Sequence, residues 1–316
     1  MRVMLWHVHG SWTTSFVRGP HEYVLPLSAD RGPYGRGRAR TWDWPSNVTE
    51  VPTDALTHEH VDVVVLQRPE EEALAHEWLH RRPGSDVPLV YVEHNAPQGR
   101  IAELRHPMAD RNDAYLVLVT QFNALFWDSG TTPQRVIEHG IVDPGDQYTG
   151  ELDRAAVVVN EPLRRWRVTG TDLLPMMNEV VPIDLFGMGA RAAARTLGLR
   201  PVENLPQAEL HREMARRRVY LHPVRWTSLG LSLVEAMQLG MPVVALATTA
   251  VPESVPAEAG VVSNEPGVLA TALRTLRHDA EEARRLGKAG RAHALERFGL
   301  DRFLVDWDDL LREVTQ

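Results

Sequence analysis

The stretch "TSLGLSLVEAMQLGMPVVA", Thr227–Ala245, has the pattern of a turn, a helix and a strand, and it decides the fold class. The preceding "VYLHP" is typical of a buried strand, and Gly230 breaks the chain between that strand and the helix. Gly240 and Pro242 end the helix ahead of a run rich in β-branched residues. This order of strand, turn, helix and strand predicts one unit of a parallel α/β sheet.

The turn at Gly230 is predicted to bind phosphate. The amides of Leu231, Ser232 and Leu233 are expected to be the free donors of the following helix, and such donors attract anions. Glu235 is expected near the same end, within the first turn or so, where a carboxylate can accept two ribose hydroxyl hydrogens. These features predict a site for a nucleoside diphosphate. A carboxylate that only offsets the helix dipole on a plain βα unit is an equally good interpretation of these residues alone.

The composition excludes several classes of protein. The chain of 316 residues has no cysteine, which excludes disulfides and thiolate chemistry and fits a reducing cytoplasm. A formal net charge of −8 argues against a nucleic-acid partner. No stretch reaches the ~18 consecutive apolar residues of a membrane span, and the N-terminus lacks a signal-peptide pattern. Arginine is abundant and Lys288 is the single lysine, which is typical of a GC-rich genome. We therefore predict a cytoplasmic bacterial protein.

Short apolar runs alternate with helical patterns in both halves of the chain, which predicts two parallel-sheet α/β domains. The predicted strands are Val3–Val8, Tyr23–Leu27, Val61–Leu66, Pro88–Val92, Ala114–Val119, Arg135–Glu138, Ala155–Val159, Ile183–Phe186, Val219–His222, Pro242–Leu246 and Ala259–Val262. The predicted helices are Pro69–His80, Gly99–Leu104, Gln121–Ser129, Asp172–Glu179, Ala190–Leu197, Gln207–Arg216, Ser232–Leu239, Pro266–Arg277, Glu281–Phe298 and Asp301–Val314. Ala29–Val51 is predicted to be a long loop.

The glycine- and aspartate-rich segment "HGIVDPGDQYTGELDR" interrupts the alternation and predicts the domain boundary. We expect an N-terminal domain at residues 1–150 and a C-terminal domain at residues 151–298. Residues 299–316 are expected to form a helix that packs back on the N-terminal domain. Ligands of open parallel sheets bind outside the carboxyl ends of the strands, so a cleft between the two domains is the expected site.

The opening stretch is similar to the signature of retaining GT-B glycosyltransferases of family 4, also called glycosyl transferases group 1. The matching positions run in order through the turn, the helix, the strand and a downstream Pro-Glu pair: Gly230, Leu231, Glu235, Ala236, Met237, Gly240, Pro242, Val243, Val244, Ala245, Pro252 and Glu253. This part of the resemblance is highly specific.

Weaker resemblances extend over nearly the whole chain. In "VVVNEPLRRWRVTGTDLL", Arg164 matches the family's arginine by spacing, and Gly170 and Asp172 match its glycine and aspartate. "LFGMG" resembles the family's second glycine-rich turn, and "ENLPQAEL" resembles the family's loop near the nucleotide base. "ERFGLDRFLVDWDDLL" resembles the family's closing helix. In the first half, "VYVEHNAP" and "VIEHGIVDP" resemble two further elements, and "WHVHGSW" stands where a glycine loop near the donor phosphates normally occurs.

The resemblance implies a GT-B fold with two Rossmann-like domains and a function. A sugar passes from a nucleotide diphosphate sugar, with UDP favoured, to an acceptor hydroxyl, and the anomeric configuration is retained. The resemblance implies no metal and no cofactor besides the nucleotide sugar. The acceptor is not identified and could be a small molecule, a lipid-linked compound or a polysaccharide. The implied catalytic residues are His94 and Arg164. The implied donor-binding residues are Gly10, Arg164, Arg167, Thr169, Thr227, Ser228, Leu229, Gly230, Leu231, Ser232 and Glu235, and the acceptor-side residues are His9, His94, Asn95 and His139.

Two positions depart from the family's pattern. The signature glutamate that contacts the donor sugar falls at Thr227, so that contact is changed or lost. The phosphate lysine falls at Thr169, and either Arg165 or Arg167 is expected to supply the missing charge, although an arginine fork does not replace a lysine point charge directly. An unusual donor sugar and a degenerate site are the two explanations that the sequence leaves open.

The histidines of the first half have alternative interpretations. His94 follows an apolar strand, where it is expected to orient an acceptor hydroxyl or the donor sugar, although a structural hydrogen bond is the simpler explanation. His139 is a weaker case of the same kind, and His7 and His9 share one face of the first strand, where burial is the alternative. The "HEH" and "DWDD" segments are assigned to solvated residues and not to a metal.

The basic segment "RGPYGRGRAR" contains Arg31, Arg36, Arg38 and Arg40. We favour a mobile, solvated loop. Binding of a phosphate or an anionic lipid head group, with the tryptophans at 42 and 44 in a peripheral membrane contact, is the alternative.

Three other functions compete with glycosyl transfer. A protein that binds a sugar nucleotide without turnover is compatible with the threonines at positions 227 and 169, and a GT-B-type epimerase needs no acceptor. An NAD-dependent dehydrogenase is disfavoured, because no Gly-x-Gly-x-x-Gly motif follows the first strand.

Overall fold

The computed structural model describes residues 1–39, 42–203 and 205–316, which form two compact units. The first unit contains Met1–Ile141 and Leu300–Gln316, and the second contains Val142–Gly299. The predicted boundary at residue 150 lies within the second unit. No helix in the described ranges is both long enough and apolar enough to cross a bilayer.

The first unit is built on seven parallel strands in the order β3-β2-β1-β4-β5-β6-β7. These are β1 (Arg2–Leu5), β2 (Glu22–Leu27), β3 (Val48–Pro52), β4 (Val63–Leu66), β5 (Leu89–Glu93), β6 (Tyr115–Leu118) and β7 (Gln134–Val136). The chain winds outward from β1 to β3 and returns to the other side of β1 at β4, so the strand order reverses between β1 and β4. A parallel sheet binds ligands beyond the carboxyl ends of its strands at such a reversal.

Within the described residues, four α-helices cover this sheet. They are α1 (Gly10–Phe16), α2 (Glu70–Leu79), α3 (Gln121–Phe126) and the C-terminal helix α12 (Leu300–Val314), with 3₁₀ turns at Leu56–His58 and Ile101–Glu103. Successive residues of β1 pack on opposite faces, with Val3 on the α12 side and Met4 on the other. Phe303 and Trp307 of α12 are buried in the same core as Val3. The C-terminal helix therefore completes the first unit.

The second unit has six parallel strands in the order β10-β9-β8-β11-β12-β13. They are β8 (Leu152–Val158), β9 (Ile183–Phe186), β10 (Arg200–Val202), β11 (Arg217–His222), β12 (Val243–Leu246) and β13 (Gly260–Ser263). The helices are α4 (Pro162–Arg165), α5 (Leu174–Val180), α6 (Ala190–Leu197), α7 (Gln207–Ala215), α8 (Leu231–Gln238), α9 (Val251–Ser254), α10 (Pro266–His278) and α11 (Ala280–Arg297), with a 3₁₀ turn at Thr171–Leu173. The strand order reverses between β8 and β11.

The two strands absent from the sequence prediction, β3 and β10, lie at sheet edges. β3 falls partly in the predicted long loop, and its side chains alternate in exposure without a continuous apolar run. β10 has three residues, of which two are exposed. Edge strands pack on few neighbours, so they carry weak sequence signals.

Two further segments differ from the prediction. The predicted helix at Gly99–Leu104 is a single 3₁₀ turn. The helix α1 replaces the predicted glycine loop.

The basic segment before β3 is anchored to the first unit, which corrects the prediction of a mobile, solvated loop. Arg31 pairs with Glu50, and the Arg38 guanidinium donates to the carbonyls of Trp44 and Val48 at 2.7 Å each. Trp44 itself is buried, and its indole N–H donates to Thr14 Oγ1 at 2.8 Å. These residues hold the segment in place. Arg40 lies outside the described residues.

A buried ion cluster joins three strands of the second unit. Asp184 of β9 is fully buried, and its carboxylate accepts from Arg217 Nη2 at 2.7 Å and from Arg154 Nε at 2.5 Å. Arg217 is buried as well and pairs also with Glu213 of α7. A buried charge is stable only while its partners remain, so this cluster fixes how β8, β9 and β11 fit together.

We predict that Asp184→Asn lowers the free energy of unfolding of the second unit by about 3 kcal/mol, because it leaves the Arg217 guanidinium buried with less compensating charge. Chemical denaturation monitored by circular dichroism measures the change. The control is Asp153→Asn, whose exposed ion pair with Arg218 should contribute less than about 1 kcal/mol. Equal losses in the two variants would contradict a special role for the buried cluster.

Candidate functional site

The loops that follow β8 and β11 meet at the strand-order reversal of the second unit. The Val168 carbonyl accepts hydrogen bonds from the amides of Arg225, at 2.8 Å, and Trp226, at 3.3 Å. Both loops lie at the carboxyl edge of the sheet, where open α/β sheets bind ligands. The residues that the sequence predicted to bind a donor lie mainly on these two loops and on α8.

Gly170 makes the contact between the two loops sterically feasible. Its φ of +68° is left-handed, and a Cβ at this position would lie 1.9 Å from the Pro223 carbonyl oxygen. No larger residue fits without moving the backbone. Asp172 then pairs with the Arg225 guanidinium, with 2.9 Å between Oδ2 and Nη2. The glycine and the aspartate of the predicted motif therefore join the loops and need no ligand contact to explain them.

Gly230 is the N-cap of α8 and lies directly against His222, the last residue of β11. A Cβ on Gly230 would lie 2.5 Å from the imidazole Cε1 of His222. Burial lowers the pKa of His222 to about 4, so the ring is neutral at physiological pH. The turn therefore requires glycine because a buried aromatic ring occupies the side-chain position.

The start of α8 differs in part from the prediction. The amide of Leu233 donates to the Gly230 carbonyl at 2.9 Å, so it is already used and does not offer the predicted free donor. Leu231 and Ser232 supply the remaining amides of the first turn, where a helix has no internal acceptors. The side chains of Ser228 and Leu229 are buried, and their predicted part in donor binding stays a prediction. Thr227 is half-buried.

Glu235 is a buried carboxylate with two partners from α7. It lies in the second turn of α8, slightly further from the helix start than predicted, and is 5% exposed. Gln207 Nε2 donates to its Oε1 at 2.9 Å, and His211 Nε2 lies 3.6 Å from its Oε2. Gln207 belongs to the segment "ENLPQAEL", which was predicted to lie near the nucleotide base, whereas no function was predicted for His211. Asn204 of that segment lies outside the described residues. The two side chains hold the carboxylate in a fixed orientation.

The three arginines after β8 differ in their surroundings. The Arg164 side chain is 71% exposed and pairs with Glu161 of the same turn, and that of Arg167 is 73% exposed and pairs with Asp172 at 3.2 Å. Arg165 is half-buried and has no carboxylate partner within the described parts of the chain. Burial, and next the charge of Arg164, lower the pKa of Arg165. Of the three cations, Arg165 is the one that a bound anion would stabilise most.

Thr169, predicted at the position of the family's phosphate lysine, faces the interior of the unit. It is 1% exposed, and its hydroxyl shares a hydrogen bond of 2.8 Å with the Thr171 hydroxyl. Its oxygen also lies 3.3 Å from the Trp166 carbonyl. The Thr169 hydroxyl is therefore engaged within the loop, and donor binding by Thr169 stays a prediction.

Three histidines predicted on the acceptor side come together in the first unit. The ring centroids of His9 and His94 are 4.2 Å apart, and those of His94 and His139 are 6.2 Å apart with nearly parallel planes. Trp12 packs edge-on against His94 at 5.0 Å. Arg302 of α12 donates to the His139 carbonyl at 2.8 Å and thereby fixes the loop after β7. These rings lie beyond the carboxyl ends of β1, β5 and β7.

The same three rings are neutral at physiological pH. Burial lowers the pKa of His94 well below its usual value and that of His139 to about 3, and repulsion from a protonated His9 would act in the same direction. Burial also lowers the pKa of His9. A neutral imidazole can donate one hydrogen bond and accept another, as a hydroxyl-orienting group must. Within the described residues, no group of three or more histidine and carboxylate side chains has the arrangement of a metal site.

The backbone that carries His94 is held by a buried polar network that the sequence analysis did not identify. Glu93 accepts from the amide of Asn95 at 2.6 Å and from its Nδ2 at 3.2 Å, and its other oxygen lies 3.1 Å from His106 Nε2. Asn123 Nδ2 donates to the Asn95 carbonyl at 3.2 Å. Asn95, predicted on the acceptor side, thus has its backbone and side-chain amide engaged in this network. Its residues are far apart in sequence, so no local pattern reveals the network.

Gly10, predicted in a donor-phosphate loop, is the first residue of α1. A Cβ at this position would lie 3.1 Å from the Trp42 indole nitrogen. The residue is therefore tightly packed from one side, and it begins a helix where a glycine loop was predicted.

Comparison with known proteins shows which protein family part of the second unit resembles and which solved structures share the fold. Residues 198–293 match the family model described as Glycosyl transferases group 1. The sucrose-phosphate synthase of Thermosynechococcus elongatus has a similar structure, with a TM-score of 0.73 and 14% identity over 99% of both chains. HepE of Anabaena, solved with UDP and glucose, gives a TM-score of 0.71 and 15% identity over 99% of this chain and 100% of HepE. TarM of S. aureus, solved with fondaparinux, α-GlcNAc-glycerol and UDP, gives 0.61 and 12% over 79% of this chain and 55% of TarM. No curated protein sequence matches the chain.

These similarities confirm the predicted GT-B fold, with two parallel-sheet Rossmann-like units. The family match confirms the predicted resemblance to glycosyl transferases group 1 over residues 198–293 and supports the predicted enzyme class, glycosyltransferase. That range contains β11, α8 and Glu235, so the loop and helix described above belong to the matched region.

The neutral histidines predict acid sensitivity of the first unit. Their pKa values are lowered in the folded state, so the unfolded chain binds more protons below about pH 6.5, and stability falls as the pH is lowered. Between pH 7.5 and 5.0, the parent should lose about 2 kcal/mol more of its unfolding free energy than His139→Gln loses. Urea denaturation at the two pH values measures this difference. A parent-to-variant difference that is the same at both values would contradict the assignment of a neutral, buried His139.

Proposed function

We propose that this protein is a retaining, metal-independent glycosyltransferase that moves a sugar from a nucleotide diphosphate sugar to an acceptor hydroxyl. The observation that carries the proposal is the pairing, in one strand–turn–helix unit, of a turn that requires glycine with a buried, oriented carboxylate. Gly230 brings the first amides of α8 to the carboxyl edge of the sheet, and Glu235 follows on the same helix. The turn would receive phosphate and the carboxylate would receive ribose.

UDP is the proposed nucleotide. HepE and TarM, which share this fold, were solved with UDP, and HepE was also solved with UDP-glucose. TarM was solved with α-GlcNAc-glycerol. By analogy we propose a hydroxyl-bearing acceptor for this protein, either a small molecule, a lipid-linked compound or a polysaccharide. Its cysteine-free, arginine-rich sequence supports work in a bacterial cytoplasm.

The main chemical demand of the reaction is to stabilise charge that develops on the leaving diphosphate. The amides of Leu231 and Ser232 are suited to this because they lie at the positive end of the α8 dipole. Arg165 is the proposed cation, because it is half-buried and has no carboxylate partner within the described residues. Arg164, which the sequence favoured, would first have to leave Glu161.

On the acceptor side, His94 is proposed to orient a substrate hydroxyl. The ring lies beyond the end of β5 between His9 and His139, and burial keeps it neutral. A neutral ring can accept a hydroxyl hydrogen without competing for the charge that the leaving group develops. The network around Glu93 and Asn95 fixes the backbone on either side of it.

A second candidate is a protein that binds a sugar nucleotide without turnover. It is favoured by two observations: Thr169 is buried where the family has a lysine, and Thr227 offers a neutral hydroxyl where the family has a glutamate. Formation of glycosylated product separates the two functions, since a binder would protect the nucleotide sugar and release no nucleoside diphosphate.

Nucleotide binding provides the first test. In thermal-shift measurements with UDP, GDP, dTDP and ADP, one nucleotide at a hundredfold excess over its Kd should stabilise the protein by about 2.7 kcal/mol. Glu235→Gln should weaken that binding by about 1–3 kcal/mol, because a charged acceptor of two ribose hydroxyls becomes neutral. The matched control is Glu281→Gln, an exposed carboxylate in the first turn of α11. Undiminished affinity in Glu235→Gln would remove the ribose assignment.

The role of Arg165 is tested by turnover. Arg165→Gln should lower kcat by roughly tenfold to a hundredfold, because about 1.4–2.8 kcal/mol of leaving-group stabilisation is lost. Arg164→Gln and Arg167→Gln should lose less, since both side chains are exposed and paired. Arg195→Gln, which removes the same charge from the exposed end of α6, serves as the control. If Arg164→Gln is the most impaired of these variants, the arginine originally matched to the family carries the charge.

A further inference from the structure

A buried tyrosine hydroxyl on β11 forms a hydrogen bond with the first turn of α8. Tyr220 lies on β11 and is fully buried. Its hydroxyl donates a hydrogen bond of 2.9 Å to Ser232 Oγ, and its oxygen lies 3.3 Å from His222 Nδ1. Burial raises the pKa of Tyr220 well above its usual value, so the hydroxyl keeps its proton and acts as a donor.

Because Ser232 Oγ accepts from Tyr220, the hydroxyl hydrogen of Ser232 points away from Tyr220. A serine hydroxyl has one hydrogen and two lone pairs, and Tyr220 occupies one of the lone pairs. Ser232 is half-buried, and its hydroxyl has no further hydrogen-bond partner in the part of the chain that the structure describes. It lies in the turn whose amides have no internal acceptor. An anion held by those amides would therefore meet a hydroxyl that is oriented to donate.

His222 completes this arrangement. Its ring is neutral and carries one hydrogen. Because Tyr220 gives its hydrogen to Ser232, the hydrogen of His222 belongs on Nδ1, where it can be donated to the tyrosine oxygen. Nε2 is then a lone-pair acceptor, and among the described residues it is buried with no hydrogen-bond partner. It lies 3.1 Å from the position of a Cβ on Gly230.

The free Nε2 of His222 is an acceptor and therefore does not bind a phosphate, whose oxygens are also acceptors. His222 is 1% exposed and has this nitrogen against the N-cap of α8. The phosphate contact is therefore assigned to the Ser232 hydroxyl and the amides of the first turn, and His222 contributes by orienting the Tyr220 hydroxyl.

We propose that Tyr220 is a positioning residue of the nucleotide site, whose hydroxyl fixes the Ser232 hydroxyl as a hydrogen-bond donor to a phosphate of the bound nucleoside diphosphate. The proposal rests on the proposed function, and it assigns the Ser232 hydroxyl, oriented by Tyr220, to recognition of the diphosphate and not of the nucleoside. Hydrogen bonds from a hydroxyl to an anionic oxygen are short and about twice as strong as neutral ones. Tyr220 acts through Ser232 and does not contact the ligand.

The test is isothermal titration calorimetry with UDP and with uridine on the parent, Tyr220→Phe, Ser232→Ala and the double variant. Each single variant should weaken UDP binding about three- to tenfold, which corresponds to one hydrogen bond, and leave uridine binding unchanged. The double variant should bind UDP as Ser232→Ala does, because the tyrosine acts only through the serine. Ser232→Thr, which keeps a hydroxyl, should retain most of the parent affinity for UDP.

Three results would overturn the inference while leaving the proposed function intact: parent-like UDP affinity in Tyr220→Phe, equal losses for UDP and uridine, or additive losses in the double variant. If Tyr220→Phe does not fold, the pair Ser232→Ala and Ser232→Thr decides, since this position is partly exposed. Equal UDP affinities in those two variants would then reject it. A parent that binds none of UDP, GDP, dTDP and ADP would overturn the proposed function itself, and this inference with it.

Discussion

The carboxyl edge of the second unit depends on the close approach of Gly170 to the Pro223 carbonyl. A side chain at position 170 would lie 1.9 Å from that oxygen and would have to adopt a left-handed backbone conformation. With glycine there, the loop after β8 meets the loop after β11, and the Val168 carbonyl accepts from Arg225. The two loops flank the point where the strand order reverses, so one backbone contact defines one side of the candidate nucleotide site.

Two charged residues at this edge, Glu235 of α8 and Arg165 in the segment after β8, differ in how their charges are paired. Glu235 already has Gln207 and His211 as partners, so its orientation is fixed before any ligand arrives. Arg165 has the opposite property: it is half-buried and forms no ion pair with a carboxylate among the described residues. An oriented acceptor and a cation without an ion pair are complementary to ribose and diphosphate, respectively. Pre-organisation of this kind reduces the entropy that binding would otherwise cost.

The sequence predicted buried strands and amphipathic helices with a clear period and missed short elements, among them α1 and the edge strand β3. Ile183–Phe186 and Ala190–Leu197 were located to the residue, because a buried strand and a strongly amphipathic helix have distinct periods. The edge strand β3 was assigned to a loop, since its exposed residues interrupt any apolar pattern. The C-terminal helix was predicted from Phe303 and Trp307, whose spacing places both on one face, and the structure buries both in the first unit.

The candidate site was predictable only where a local motif carries the information. Gly230 and Glu235 lie in one strand–turn–helix unit, so their spacing suggested phosphate and ribose contacts and left a carboxylate that only offsets the helix dipole as an equally good interpretation. The partners of Glu235 come from a different helix, and the burial of Thr169 depends on packing of the loop around it, so neither could be read from the sequence. The same holds for Glu93 and His106, which lie on separate segments and together fix the backbone next to His94.

The most direct test of the central claim is a crystal structure of the protein with UDP bound. The account predicts ribose hydroxyls within hydrogen-bonding distance of the Glu235 carboxylate and a phosphate at the amides of Leu231 and Ser232, with the Arg165 guanidinium turned toward the diphosphate. A nucleotide bound in the second unit with its ribose away from Glu235 and its phosphates away from the first turn of α8 would contradict it.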